Sequence, residues 1–573
     1  MRGADPSAAA TGEPHGSTVT PILPALEVDT DDAITWSDGA DVLVVGWGLA
    51  GACAAIEARA AGATTIVIDR FGGGGASTLS GGVVYAGGGT RQQQQAGFAD
   101  TPEAMQDYLR HEVEDAVQPA TLARFCAESA GNLAWLEAHG VAFAATTTAH
   151  KTSYPPDGVF LYYSGSEMVP AFRGATAPVP RGHRAVSKGQ SGTALYAAMQ
   201  RATEHAGAKP LRQAAVRRLV RLRTRDGRPG RVLGVEAWVL PEGDPRTRRH
   251  AELDVRIAGW RLYHPGKAAA ARREQAQIEQ ALAQPCYLRA RRALVLATGG
   301  YIYNPQLIAE HAPRYRAGWP IGGAGCDGSG IRLGASIGGA TARLGNISAW
   351  RFITPPYCWP KGLVVNARGE RFCNEQVYGA RLGYEIVEHQ GGKAWLIIDT
   401  RLRRQAIKEC LFGRLWAFQS LPALMLMLAG SPKARTLADL ARKIGADPAT
   451  LETTVASANA AAHGTGADPL GKSPDLRQAC AAPPFHALDI SIGARRFPLA
   501  TLSLGGLVVD ESDGHVRDAQ GINVPGLFAA GRSAIGIASA HYVSGLSLAD
   551  CVFSGRRAGR AAAAEAIAEG AHE

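Results

Sequence analysis

The sequence predicts an α/β protein, with a Rossmann-like nucleotide-binding domain interrupted by an inserted α+β domain. Three observations lead there. A continuous apolar run enters a Gly-x-Gly-x-x-Gly turn and a helix of small residues. A second apolar run ends on an acid about twenty residues later. Two further strand-then-glycine segments stand far downstream, at 294–300 and 526–532.

The first element reads Asp41-Val-Leu-Val-Val-Gly46-Trp-Gly48-Leu-Ala-Gly51. Its four apolar residues fit a strand buried on both faces, as in a parallel sheet. Gly46 allows the tight turn, Gly48 lets the backbone approach a pyrophosphate, and Gly51 lets the helix pack on the strand. The helix, expected over 50–61, offers unpaired N–H groups and a positive dipole end to phosphates. Asp69 closes the next strand, placed to accept a hydrogen bond from a ribose 2′-hydroxyl. This is a dinucleotide site.

Gly72-Gly-Gly-Gly-Gly-Ala76-Ser77-Thr78-Leu-Ser80-Gly81-Gly82 follows almost at once. Such a run forfeits backbone entropy and has nothing to pack, so it suits a loop laid against a large ligand. Ala297-Thr298-Gly299 and Gly531-Arg532 end two later apolar runs. Four backbone approaches spread over a whole chain suit FAD, which is long and extended, better than a nicotinamide nucleotide. Together the four resemble the flavoprotein subunits of the fumarate reductase and succinate dehydrogenase superfamily, over roughly 38–570.

Composition sets bounds on the rest. At 573 residues two domains are expected, with ample core in each. Nine scattered cysteines form no C-x-x-C pair, which fits reduced thiols in a cytoplasm and gives no metal site. Ten lysines stand against fifty arginines, the bias of a translated high-GC genome, so a bacterial source is expected. Residues 1–37 are rich in acids and lack a signal-length apolar stretch, and are expected to form a disordered or loosely docked tail. The flavin domain is expected over 38–313 and 497–573, with a substrate domain over 314–496. Basic residues cluster at 246–273 without a nucleic-acid recognition motif, so a solvated insertion is expected there and no nucleic-acid partner. The apolar stretch 415–429 is too short to span a membrane; it reads as a buried helix or as a lipid-facing or substrate-channel lip, which would make a peripheral membrane contact.

The superfamily divides on its catalytic residues. Fumarate reductases carry a histidine where this chain has Leu502, and an arginine acid where it has Gly379; Arg381 is out of register. A dicarboxylate would leave charges unpaired in an apolar pocket, costing several kcal/mol. A fumarate-reductase-like ene-reductase is therefore disfavoured.

Instead the chain carries Asn374-Glu375-Gln-Val-Tyr378-Gly379 and His541-Tyr542-Val-Ser544-Gly545-Leu-Ser547-Leu548-Ala-Asp550. With Tyr162-Tyr163-Ser-Gly-Ser-Glu167 and Pro180-Arg181-Gly182-His183, these resemble the 3-oxosteroid dehydrogenases, most closely the Δ4-(5α) branch. The resemblance implies FAD held non-covalently, because His541 is not in a flavin-linking context. It implies a steroid substrate and an electron acceptor of unspecified identity, and it sets no oligomeric state. It places Gly46, Gly48, Leu49, Ala50, Gly51, Asp69, Arg70, Ala76, Ser77, Thr78, Ser80, Gly81, Gly82, Ala297, Thr298, Gly299, Asp327, Gly328, Gly531, Arg532, Ser547 and Leu548 at the cofactor. Tyr162, Tyr163, Leu502 and Gly545 fall at the substrate.

Making a double bond beside a ketone requires loss of an α-proton and of a β-hydride. Donors must stabilise charge on the carbonyl oxygen, and a neutral phenol does so without the penalty of a buried ion. Tyr542 and an amide near 545–547 are the candidate donors. Ser544 is the candidate proton acceptor, a role that rests on the resemblance, with Tyr378 as its relay. The product expected is the 4-ene; Δ1-dehydrogenation is the alternative, and a subunit that only carries electrons is a further one.

Overall fold

The computed structural model describes residues 17–173, 177–224 and 230–566. The expected α/β architecture is present, built on a nine-stranded sheet. Asp38–Val45 lies between Thr65–Ile68 and Gln284–Leu296 and runs parallel to both. Val42, Leu43 and Val44 have no exposed surface, which explains the unbroken apolar run. Gln284–Leu296 pairs antiparallel with Val232–Val239 at its start and parallel with Asp38–Val45 further on. Asn523–Ala529 joins residues 294–296 on the other side, also parallel. The carboxyl ends of three parallel strands therefore meet at Gly46, Ala297 and Ala530, where open α/β sheets bind ligands.

The helix Leu49–Ala60 follows the first glycine turn and crosses Leu546–Ala564 at close range. A Cβ on Gly559 would lie 2.2 Å from the Ala54 carbonyl oxygen, so small residues set the crossing. That crossing aims the amino end of Leu546–Ala564 at the carboxyl edge of the sheet.

The amino-terminal segment differs from expectation. Residues 1–16 lie outside the described residues, but 17–37 are docked rather than loose. Leu26–Val28 adds a parallel edge strand against Ala214–Leu222, and the Thr20 amide and hydroxyl both donate to Asp327, at 2.7 and 2.5 Å. The acids of this segment serve as partners: Glu27 holds Arg221 and Asp31 holds Arg289. Composition alone reads such acids as solvating.

Two smaller sheets lie within 314–503. One orders Trp319–Pro320, Ala500–Ser503 and Ile347–Trp350; the other has four strands, with Trp395–Ile398 and Phe485–Asp489 at its centre. The Asn374-Glu375 pair organises this region. Buried Glu375 takes Arg371 at 2.7 Å, Lys472 at 2.9 Å and the Val364 amide at 3.0 Å. Arg181 is likewise structural, paired with buried Asp100 at 2.7 Å.

Candidate active site

A cavity of about 750 Å³ opens at the carboxyl edge of the sheet. Gly46, Gly48, Leu49, Ala50, Ala297, Thr298, Gly299, Gly531 and Arg532 line it, with Ala76, Ser77 and Thr78 from the glycine-rich loop. Gly46 has φ +99°, and its Cβ would meet the Ala297 carbonyl at 2.5 Å, so only glycine fits the turn. A Cβ on Gly48 would meet protein no nearer than 3.6 Å, so the chain beside it faces open cavity. Gly51 does not line the cavity; its Cβ would sit 1.9 Å from the Gly46 carbonyl, which fixes it as the packing glycine.

Two buried donors on this cavity have no partner among the described residues: Trp47 Nε1 and Arg532 Nη1. An unsatisfied buried donor is costly, so both are ready for a polar ligand. The amino end of Leu49–Ala60 also faces this cavity: Ser77 Oγ accepts the Leu49 amide at 3.0 Å, and Gly48 adds no side-chain cap, so the dipole's positive end is open to an anion. These features fit the pyrophosphate and ring system of a flavin dinucleotide.

Several residues expected at the cofactor have protein partners or lie off the cavity's lining. Arg70 borders the cavity, but its guanidinium is spent on Glu279 at 2.9 Å and Asp327 at 3.0 Å. Asp327 and Gly328 do not line it: the Asp327 carboxylate holds Thr20, Arg70 and the Ser329 amide. Gly82 packs against Ser191, where a Cβ would come within 2.3 Å. Asp69 lines the cavity, yet its carboxylate already accepts amides from Trp47, Phe71 and Gly73. Its first structural task is to pin the turn. Burial pushes its pKa up, and those three amides oppose the shift.

The basic insertion is a helical hairpin, Pro245–Trp260 and Pro265–Leu282, whose inner face is not solvated. Ala251, Asp254, Ile257, Ala258 and Arg261 form a wall of the first cavity. His250 stacks on Phe71 at 5.7 Å and meets Glu279 at 3.0 Å, tying the hairpin to the second strand's end. Arg261 donates to the Leu79 carbonyl at 2.9 Å and to Gln190 at 3.1 Å.

The second cavity, about 490 Å³, is continuous with the first: Ala76, Ser77, Leu79, Arg261, Arg532 and Cys551 border both. Its walls are largely apolar and aromatic, with Tyr154, Trp319, Trp350, Phe352, Phe418 and Leu502. Ser80, Gly81, Tyr378, Tyr542, Ser544, Gly545, Ser547 and Leu548 also reach it. Tyr542 stacks on Trp350 at 5.1 Å, and the Gly545 amide lies against its hydroxyl. Gly545 caps Leu546–Ala564 in the left-handed region, φ +93°, so the helix's positive end faces the cavity. Burial holds the Tyr542 and Tyr378 phenols well above the ordinary tyrosine pKa, so both are neutral donors.

Ser544 stands between two phenols, interacting through its hydroxyl with Tyr378 and Tyr162. Tyr378 is 2% exposed and held by its own amide, which donates to Ser166 Oγ at 3.0 Å. Tyr162 and Tyr163 do not line the substrate cavity. Tyr162 lies behind Ser544, and Tyr163 turns its hydroxyl toward the Pro178 carbonyl. Tyr162 ends the strand Leu161–Tyr162 and Tyr163 follows directly in extended chain, so one faces inward to the serine and the other away.

The charged groups do not suit a dicarboxylate. Gly379 has no room for a side chain, with Phe352 2.3 Å from a Cβ. Arg381 is drawn off to Glu385 at 3.2 Å and Glu114 at 3.6 Å. Arg351 borders the cavity, but its guanidinium donates to the Phe497 and Ser491 carbonyls. His541 bonds Glu114 at 3.0 Å and lines neither cavity.

Sequence reasoning missed the aromatic wall of Tyr154, Trp350 and Phe352, and the contribution of Arg261. None sits in a recognisable local motif; they come from three distant segments.

The family model for an FAD binding domain matches residues 41–548. A 3-oxo-5-alpha-steroid 4-dehydrogenase of Comamonas testosteroni is 52% identical over 526 residues, 90% of this chain and 97% of that protein. A 3-oxosteroid 1-dehydrogenase of Mycobacterium tuberculosis is 27% identical over 86% of this chain and 92% of its own. The crystal structure of a 3-ketosteroid-Δ4-(5α)-dehydrogenase from Rhodococcus jostii, in complex with 4-androstene-3,17-dione, superposes with a TM-score of 0.77. It is 29% identical and covers 94% of this chain and 100% of its own. The chain thus belongs to the FAD binding domain family, in its 3-ketosteroid Δ4-(5α)-dehydrogenase branch.

Proposed function

We propose that this protein dehydrogenates a 3-oxo-5α-steroid at carbons 4 and 5, giving the 3-oxo-4-ene. The observation that carries the reading is the convergence of Tyr542, the Gly545 amide and Ser544 on one apolar cavity that opens into the nucleotide cavity. The 52% identity to a 4-dehydrogenase favours this regiochemistry over the Δ1 alternative, whose relative is 27% identical.

Bound FAD, held without a covalent link, supplies the hydride acceptor. The Tyr542 hydroxyl and the Gly545 amide bind the C3 carbonyl oxygen and stabilise the negative charge that grows there as C4 loses its proton. A preorganised donor of this kind contributes about 3 kcal/mol to the transition state. Ser544 takes the C4 proton as it gives its own to Tyr378 in its phenolate form, the minor form at neutral pH, and the second bond of the new alkene forms as hydride leaves C5. Trp350, Phe352 and Leu502 keep the ring system dry, which strengthens both hydrogen bonds.

Label at carbon 4 tests this directly. A substrate deuterated at C4 and C5 should show isotope effects, and one deuterated at C1 and C2 none. The opposite pattern, with a 1-ene product, would assign the Δ1 reaction instead.

A further inference from the structure

Among the described residues nine large apolar side chains are exposed, and six of them share one margin of the molecule. Leu421, Met425 and Leu428 lie at i, i+4 and i+7 on Ala417–Leu428, so they form one outward stripe. Leu411 and Phe412 end the preceding helix, Thr400–Phe412, which packs against it. Tyr263 faces them across the opening, and Tyr263, Leu421 and Met425 themselves line the substrate cavity. Phe412 is 77% exposed and Leu428 61%, far beyond what a water-facing helix needs.

Charge says what covers this margin. Arg404, Lys408, Arg414, Arg495 and Arg496 are exposed around it and carry no ion pair among the described residues. The acid between them, Glu409, is turned inward to the Cys358 amide at 3.1 Å. A second copy of the chain docked here would set this positive ring against itself. An apolar stripe inside a basic ring matches the boundary of an anionic bilayer, where apolar side chains enter the acyl region and arginines meet headgroups.

We propose that residues 411–428 dock on an anionic lipid surface and open the substrate cavity toward it. No helix among the described residues is long and apolar enough to cross a membrane, so the contact is peripheral. Docking rests on this surface alone. Its purpose, uptake of a ring system dissolved in the bilayer, rests on the steroid reading above.

The test uses the flavin-loaded enzyme and sedimentation with vesicles of phosphatidylglycerol or of phosphatidylcholine. Retention is expected on the first and not on the second, and it should fall as salt rises. Phe412→Glu with Leu428→Glu should lower retention roughly tenfold or more, and Arg404→Glu with Lys408→Glu should do the same. Neither pair lines the cavity, so turnover of steroid delivered in cyclodextrin should be unchanged, as should melting temperature. Loss of turnover on vesicles with retention intact would instead count against the steroid reading. No retention on either vesicle overturns the proposal, as does retention that both double variants leave intact. A dimer in light scattering that Phe412→Glu dissociates would overturn it in favour of a second copy.

Discussion

Ser164 and Ser544 hold each other by two reciprocal bonds. The Ser544 amide donates to the Ser164 carbonyl at 3.2 Å, and the Ser164 hydroxyl donates to the Ser544 carbonyl at 3.0 Å. The loop bearing the proposed proton acceptor is thereby fastened to the segment bearing Tyr162 and Ser166. Ser164 is a positioning residue. Ser164→Ala should lower kcat roughly three- to tenfold with little change in KM, the scale of one buried hydrogen bond. A change confined to KM would show that the pair shapes only the binding cavity.

The phenols predict the pH dependence. Burial raises the Tyr378 and Tyr162 pKa values, so the proton-accepting form of the relay is scarce at neutral pH and grows with pH. The rate of flavin bleaching by steroid, followed anaerobically, should climb steadily from pH 7 to about 10 without a plateau. Tyr378→Phe should flatten the profile and depress it about a hundredfold. Tyr162→Phe should shift the curve while leaving turnover within roughly tenfold. A bell centred near pH 6 to 7 would point to another base.

Gly48 faces open cavity rather than protein, so a side chain there threatens the ligand and not the fold. Gly48→Glu should give folded, colourless protein, because the carboxylate would stand against the pyrophosphate at a helix amino end. Circular dichroism and flavin content decide it. Stoichiometric FAD in the variant would place the cofactor elsewhere.

Leu502 and Gly379 stand where fumarate reductases place the histidine and arginine that serve a small dicarboxylate, and Gly379 has no room for a side chain. Fumarate and succinate should neither turn over nor compete with steroid at millimolar concentration, on the scale of ordinary substrate affinity. Competitive inhibition by either would require a cation in the cavity that these residues do not supply.

His515 sets a pH limit on stability. Burial alone would lower its pKa, but hydrogen bonds to Asp513 and Glu565 outweigh it and raise the value to about 9. A raised pKa in the folded state means a contribution that is full below about pH 6.5 and lost as pH rises through about 9. The melting temperature should therefore fall between about pH 7 and 9.5 by more than in His515→Gln. Equal slopes in both proteins would dismiss the linkage.

The nucleotide-binding turn was legible because its requirements are local. Gly46 needs a positive φ and Gly51 a clear path for the facing carbonyl, and each leaves its mark on a few adjacent positions. The continuous apolar strand was legible for the same reason, since burial on both faces leaves no alternation. Less was legible where a side chain's partner lies far along the chain. Asp327 resembles a cofactor acid beside a glycine loop, but Thr20 and Arg70, 307 and 257 residues away, claim its carboxylate. The acidic amino-terminal segment resembles a solvated tail until its partners, Arg221 and Arg289, are placed beside it.

The sequence by itself determined the α/β class, the dinucleotide turn and the lack of a dicarboxylate-binding pattern at Leu502 and Gly379. Those follow from backbone geometry and residue chemistry within short windows. Only the tertiary structure decided that Tyr162 stands behind Ser544 instead of on the cavity wall. It also decided that a basic insertion turns one face into the nucleotide cavity, and that the walls come from Tyr154, Trp350 and Phe352. Packing between segments hundreds of residues apart fixes which side of each element is buried, and no local window carries that information.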